Sequence, residues 1–203
     1  MDRVTIASVV EGEGEVAALP KVLQRIAHEL QVWGLRTPKP HRVPRSNLLL
    51  PGGIENAVQQ EAIQVRGGGG VLVLLDADKD CPAECGPALL ERARKARPDV
   101  PVAVVLPKPE FEAWYRAAAG SLAGKAGFAD GVTCSQDPEG PPRDAKGWLS
   151  AHRSKADPYS PVPDQAALAS LFDLSMARAS APSFDKLYRD VAWLLGAHPR
   201  TEG

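Results

Sequence analysis

Two short apolar runs, each followed at once by acidic residues, constrain the fold of this chain more than any other feature. The runs span residues 4–10 and 71–75, and the first is rich in β-branched residues, as is typical of strands buried on both faces of a parallel sheet. The acids that follow are Glu11, Glu13 and Glu15 after the first run and Asp76, Asp78 and Asp80 after the second. Ligand crevices in such sheets lie beyond the carboxyl ends of the strands, so both acidic groups are predicted at one edge.

Helical patterns alternate with the apolar runs. Apolar residues between Val16 and Trp33 recur every three or four positions, which predicts a helix, and Pro20 is tolerated only if that helix begins near it. Further helices are predicted over residues 55–65, 83–96 and 110–119, and another strand over residues 100–106. This order predicts an α/β fold with a mainly parallel, Rossmann-like sheet flanked by helices.

Composition divides the chain into three segments. Residues 1–120 carry the alternating pattern and predict the α/β core. Residues 121–147 are rich in Gly, Pro and Asp and predict a surface loop, either a lid or a disordered segment. Residues 148–203 predict a helical C-terminal extension packed on the core, with Asp164 and Ser183 as candidate helix caps.

Charge and cysteine content exclude several classes of protein. The chain has 24 basic and 25 acidic residues, so no global field attracts nucleic acid or a membrane. No apolar stretch approaches the roughly 20 residues of a membrane span, and the chain opens on Asp2 and Arg3, so we expect a cytoplasmic protein.

The cysteines are Cys81, Cys85 and Cys134, and an odd count favours reduced thiols. A zinc site with His152 is the weaker alternative, because the spacing is not typical of one.

A basic segment without acidic residues is the candidate contact with nucleic acid. Its basic residues are Arg36, Lys39, His41, Arg42 and Arg45. The prolines within it would hold it extended, so it could follow a phosphate backbone. An ordinary solvated loop explains the same composition equally well.

Carboxylates that converge on one edge of a sheet predict a divalent metal site. Such acids need cations or protons to neutralise them, and hard oxygen ligands favour Mg2+ or Mn2+. Glu110 and Glu112 follow the predicted strand over residues 100–106 and offer one more carboxylate, for which Glu112 is preferred. For Asp76 and Asp78 the alternative is simple helix capping, and for Glu13 solvation at a helix start is the favoured interpretation.

The order of these motifs resembles the Toprim fold of topoisomerases, primases and overcoming-lysogenization-defect nucleases. The matching residues are Val10, Glu11 and Gly12 with Glu15, followed by Asp76, Ala77 and Asp78. Three further strings, at residues 78–82, 110–114 and 181–184, resemble the Toprim-like family called domain of unknown function 4276. The resemblance covers most of the chain.

The resemblance implies a cytosolic, metal-dependent nuclease that acts on DNA or RNA. It also implies an ATPase partner of the AAA or ABC type and a role in defence against foreign DNA. The metal ligands that the resemblance implies are Glu11, Glu15, Asp76 and Asp78, and the catalytic residues are Glu11, Asp76 and Asp78. Position beside these acids adds Glu112 as a metal ligand and Lys79 as a catalytic residue. Carboxylates of this kind hold cations that activate water for attack on a phosphodiester, and Lys79 would neutralise charge on the phosphate.

Two other functions use the same acids. In the first, the chain is a non-catalytic partner subunit whose acidic pocket binds a metal or a nucleotide. Its apolar stripe from Phe184 to Leu195 would then dock the ATPase. In the second, the chain is a Mg2+-dependent phosphatase, which ranks last because the sequence offers no obvious nucleophile or basic clamp.

Overall fold

A computed structural model describes residues 4–134, 137–141, 143–154 and 156–197 of this chain. Its strands are β1 (Thr5–Val10), β2 (His41–Arg42), β3 (Gly69–Leu74) and β4 (Val102–Val105). They form one parallel sheet in the order β2-β1-β3-β4. The predicted α/β class is confirmed.

Helices cover both faces of this sheet. They are α1 (Glu13–Glu29), α2 (Arg45–Leu49), α3 (Gly53–Ala62), α4 (Pro82–Ala96), α5 (Ala113–Ala117), α6 (Ala145–His152), α7 (Pro161–Leu171), α8 (Leu174–Ser180) and α9 (Pro182–Leu194), with a 3-10 helix at Ala119–Leu122. In the described part of the chain, no helix is both long and apolar enough to span a bilayer.

Alternation along the strands divides the interior into two cores. Leu72 and Leu74 of β3 lie in a core with α1, α5 and α7 to α9, whereas Val71 and Val73 lie in a second core with α3 and α4. Side chains of successive strand residues point to opposite faces, so a sheet covered on both faces needs apolar residues at every position. The valine-rich runs are therefore explained by burial on both sides.

The start of α1 differs from the prediction. The helix begins at Glu13 and contains Pro20 in its interior, although a proline there removes one backbone hydrogen bond and costs roughly 3 kcal/mol. Leu19, Leu23 and Ile26 are fully buried on the same helix. Burial of each such side chain contributes roughly 1.5–3 kcal/mol, which offsets the loss.

The segment after β4 also differs from the prediction. Its helix, α5, has only five residues, and Glu110 and Glu112 lie in the turns before it. Within the predicted surface loop, Phe128, Val132 and Glu139 are buried. The helices α7 to α9 pack in the same core as α1 and contribute Leu168, Phe184 and other apolar residues to it.

Candidate functional site

The sheet places the ends of β1 and β3 side by side. Their parallel register pairs Val9 with Val73, so the residues that follow each strand emerge at the same edge. Glu11 comes directly after β1, and Asp76 lies two residues beyond β3. The amide of Val43 donates to the carbonyl of Val10, which ties the segment that leads to α2 to this edge as well.

Backbone pairing between β3 and β4 continues beyond both strands. The additional hydrogen bonds run from the amides of Leu75, Ala77 and Asp78 to the carbonyls of Val105, Pro107 and Pro109 respectively. The amide of Phe111 then donates to Oδ1 of Asp76 at 3.0 Å. These bonds bring the acids of the 110–112 turn to Asp76.

Four carboxylates meet at this edge, and we call Glu11, Glu15, Asp76 and Glu112 the carboxylate pocket. Glu15, Asp76 and Glu112 are 5%, 9% and 1% exposed, and Glu11 is half-buried. Burial is the largest influence on each of them and raises all four pKa values. The charges of Glu15, Glu112 and Glu11 raise the pKa of Asp76 further, so the acids lie within each other's field.

Glu15 belongs to the first turn of α1 and closes the loop after β1. Its Oε2 accepts hydrogen bonds from the amides of Glu11 at 3.1 Å and Gly12 at 3.2 Å. These bonds favour the charged form, but burial outweighs them and, with the charges of Glu112 and Glu11, raises the pKa of Glu15 to about 7. Without a metal this carboxyl is therefore partly protonated at neutral pH.

The C-terminal part of the chain supplies two partners to Glu112. The Tyr159 hydroxyl donates to Oε1 of Glu112 at 2.8 Å, and the Lys146 ammonium lies 3.4 Å from Oε2. Lys146 also contacts Glu110 twice, through Nζ to Oε2 at 2.6 Å and through its backbone amide to Oε1 at 2.9 Å. Burial alone would lower the pKa of Lys146, but the charges of Glu112 and Glu110 raise it above its ordinary value.

A second group of charges lies next to the pocket in a cleft of about 540 Å3, which we call the outer cleft. It is lined by Arg45, Asp78, Lys79, Asp80, Pro109, Glu110 and Arg143. Arg45, at the start of α2, pairs with Asp78 at 3.5 Å and with Asp80, and also donates to the backbone carbonyl of Asp76.

The predicted metal pair Asp76 and Asp78 is divided between these two regions. Asp76 is buried in the carboxylate pocket, whereas the side chain of Asp78 is 60% exposed in the outer cleft. Asp78 has a left-handed backbone with φ of 52°, a conformation that aspartate adopts more readily than most residues. Its charge still contributes to the raised pKa of Glu11, so Glu11 lies between the two regions.

The remaining predicted residues lie outside the pocket. Lys79 is exposed and lines the outer cleft. Arg42 pairs with the exposed Glu13 at 3.6 Å. Lys39 is exposed, and Arg36 pairs through its backbone with the start of β1, at the opposite end of the sheet. Of the basic segment, only Arg45 reaches the outer cleft.

Sequence reasoning missed three cationic or phenolic groups. Lys146 and Tyr159 contact the pocket from α6 and the loop after it, and Arg143 lines the outer cleft with its guanidinium 3.5 Å from the carbonyl of Lys79. None of them follows a predicted strand or belongs to a recognisable motif. Arg143 and Lys146 lie in the predicted surface loop and Tyr159 in the predicted helical extension, so no sequence signal set them apart.

The ligand chemistry of the pocket suits a hard divalent cation. All of its donors are carboxylates, and the buried Oε2 atoms of Glu11 and Glu112 accept no hydrogen bond. Across the described ranges, however, no three His, Cys, Asp or Glu side chains already stand in an arrangement that holds a metal ion, and this includes the alternative zinc set of Cys81, Cys85, Cys134 and His152. Side chains that now contact Lys146, Tyr159 and backbone amides would have to turn toward the ion.

Comparison with known proteins identifies the family of this chain. A family model described as "Domain of unknown function (DUF4276)" matches residues 10–192, a range that includes the whole carboxylate pocket together with Lys146 and Tyr159. Comparison with curated proteins found no match, and comparison with solved structures found none either. Because the matched range covers most of its length, the chain belongs to the DUF4276 family.

Proposed function

We propose that this chain is a Mg2+- or Mn2+-dependent phosphodiesterase that acts on DNA or RNA. The observation that supports the proposal is the convergence of Glu11, Glu15, Asp76 and Glu112, three of them buried, with all four pKa values raised by burial. Burial of so many acids destabilises the metal-free fold, and such arrangements cluster at functional sites. Resemblance to Toprim nucleases supports the same assignment.

In this proposal Glu11, Asp76 and Glu112 hold the cation, with Glu15 and Asp78 beside them. The bound cation supplies Lewis acidity, which lowers the pKa of a bound water and stabilises charge on the phosphate. Glu11 borders the outer cleft, and in this proposal one of its carboxylate oxygens would hold the cation while the other would accept a proton from the attacking water.

The outer cleft would bind the nucleic-acid backbone. Arg45, Lys79 and Arg143 line it together with three acids, Asp78, Asp80 and Glu110, and these three cations would contact the phosphates. The guanidinium of Arg45 now contacts Asp78, Asp80 and the backbone carbonyl of Asp76, so a phosphate would compete with these partners for it. The net charge of −1 confines nucleic-acid binding to such a local surface.

The test is cleavage of single- and double-stranded DNA and of RNA by purified protein with Mn2+. Asp76→Asn keeps an oxygen for the Phe111 amide but removes the charge, so we expect activity to fall at least about 100-fold, since even outer-shell changes at metal sites cost 10–100-fold. The matched control is Asp99→Asn, an exposed aspartate that pairs with Arg97 just before β4. Equal cleavage by wild type and Asp76→Asn would disprove the proposal.

An ATPase partner and a cytoplasmic location belong to the same proposal. The apolar stripe of α9 does not favour the alternative of a non-catalytic docking subunit, because Phe184, Leu187 and Val191 are fully buried in the core of the chain itself. Assays of the chain alone and together with a neighbouring ATPase distinguish the two functions. Absence of cleavage in both states, with Mn2+ still bound, would favour the non-catalytic subunit.

A further inference from the structure

We propose that Lys146 is the resident counter-cation of the carboxylate pocket and that an incoming divalent cation displaces its ammonium group. The inference rests on the metal site of the proposed function but does not require nuclease activity. It assigns to Lys146 a role in controlling how tightly the pocket binds its cation.

The contacts of Lys146 place its charge inside the pocket. Its Nζ lies 2.6 Å from Oε2 of Glu110 and 3.4 Å from Oε2 of Glu112, which is 1% exposed. The charge of Lys146 also favours the ionised forms of Glu11 and Asp76. One ammonium group therefore stabilises the charges of carboxylates from the ends of three strands.

A single ammonium is an incomplete counter-ion for so many acids. The Oε2 atom of Glu112 accepts no hydrogen bond, so its contact with Lys146 is electrostatic only and the oxygen is left for another ligand. A divalent cation brings twice the charge and binds several carboxylate oxygens at once. Two cations competing for the same oxygens repel each other strongly in a buried site, so the ammonium has to leave.

Lys146 can leave without disturbing the helix that carries it. Its backbone amide remains bonded to Oε1 of Glu110 at 2.9 Å, and the side chain of Asp144 caps α6 through the amide of Gly147 at 2.7 Å. The Lys146 side chain is 42% exposed, so the ammonium has an open path to water. Only side-chain rotation is required.

The first experiment is calorimetric titration of the metal-free protein with Mn2+. Lys146→Met keeps the aliphatic stem but removes the competing charge, so its Mn2+ dissociation constant should fall by about 10-fold. Lys125→Met is the matched control, because Lys125 is exposed and its ammonium contacts only the nearby Ser121 carbonyl among the contacts seen here; its affinity should not change. The double variant Asp76→Asn with Lys146→Met should lose the tighter Mn2+ binding of Lys146→Met, which would locate the bound ion in the pocket.

Unchanged or weaker Mn2+ binding by Lys146→Met would overturn the inference, because Lys146 would then order the ligands instead of competing for them. Absence of Mn2+ binding by both wild type and Lys146→Met would overturn it as well. Tighter binding without cleavage of DNA or RNA would support the inference and remove the nuclease proposal. Cleavage of DNA or RNA together with an unchanged Mn2+ affinity of Lys146→Met would overturn the inference and leave the nuclease proposal intact.

A second measurement uses the wild-type chain and does not depend on the folding of any variant. An amine-acylating reagent is applied with and without Mn2+, and labelling of individual lysines is followed by mass spectrometry. Mn2+ should increase the labelling rate of Lys146 several-fold by releasing its ammonium into water, while Lys125 serves as the internal control. Equal or slower labelling of Lys146 with Mn2+ would contradict displacement.

Discussion

The carboxylate pocket and the outer cleft lie side by side, yet acids from the same strand end are buried in the pocket and exposed in the cleft. In the outer cleft Asp78 and Asp80 are exposed and share Arg45 as a partner. In the pocket Asp76 and its neighbours are buried, and their pKa values are raised. Solvated, paired acids have little effect on stability, whereas buried acids without full compensation destabilise a fold. The difference favours the pocket over the cleft as the site of the proposed cation.

The largest expected effect separates the two regions directly. Asp76→Asn should weaken Mn2+ binding at least about 100-fold, because it removes a buried ligand, and Asp80→Asn should weaken it less than about 3-fold. Calorimetric titration measures both. If Asp80→Asn has the larger effect, the cation binds in the outer cleft and the comparison is reversed.

The second effect concerns stability and pH. Since the folded pKa of Glu15 is raised to about 7, the folded chain holds a proton that the unfolded chain releases near pH 4.5. The loss of folding stability caused by the buried Glu15 carboxylate is therefore absent below pH 4.5 and grows as the pH rises to about 7. Glu15→Gln, which retains an oxygen for the amides of Glu11 and Gly12, should stabilise the metal-free protein by roughly 1–3 kcal/mol at pH 8 and by almost nothing at pH 4.5.

Urea denaturation in EDTA at the two pH values measures this difference. Addition of Mn2+ at pH 8 should reduce or reverse the advantage of Glu15→Gln, because the cation stabilises the charged wild-type pocket. If Glu15→Gln is less stable than wild type at pH 8 without metal, the contacts of the Glu15 carboxylate already offset the cost of burying its charge.

A smaller effect is expected where the C-terminal part meets the pocket. Tyr159→Phe removes the hydroxyl that fixes Oε1 of Glu112, so Mn2+ affinity should fall about 10-fold, as for other outer-shell changes. Tyr188→Phe is the matched control, because Tyr188 lies on α9 with its ring against Arg178, outside the pocket. Equal affinities for the two variants would mean that Tyr159 has only a packing role.

The smallest effect is expected at Glu13, which shares the motif of Glu11 and Glu15 but not their environment. Glu13 is exposed and pairs with Arg42 across 3.6 Å. Exposed pairs of this kind contribute less than about 1 kcal/mol, so Glu13→Gln should leave stability nearly unchanged and Mn2+ affinity unaltered. A clear loss of Mn2+ binding would extend the pocket to the outer side of α1.

Sequence patterns could predict the edge at which the pocket forms but not which acids enter it. Glu11 and Asp76 follow apolar, β-branched runs, and the parallel arrangement of those runs brings their ends together. The separation of Asp76 from Asp78 depends on a left-handed backbone at Asp78, and aspartate tolerates that conformation without requiring it. No property of the residue type alone distinguishes the two.

The contributions of Lys146 and Tyr159 were beyond prediction for a different reason. Both lie outside the alternating pattern of strands and helices, in segments whose position depends on tertiary contacts with Glu110 and Glu112. A lysine and a tyrosine in such segments are most often solvated or packed. Only the folded arrangement shows that they contact buried carboxylates.

The main-chain bonds that extend the pairing of β3 with β4 have an evolutionary consequence. Pro107 and Pro109 take part through their carbonyls, so the length of this stretch aligns Glu112 with Asp76. Insertions and deletions between Val105 and Glu110 should therefore be rare among relatives. A single added residue would move Glu112 away from its partners even if every acid were retained.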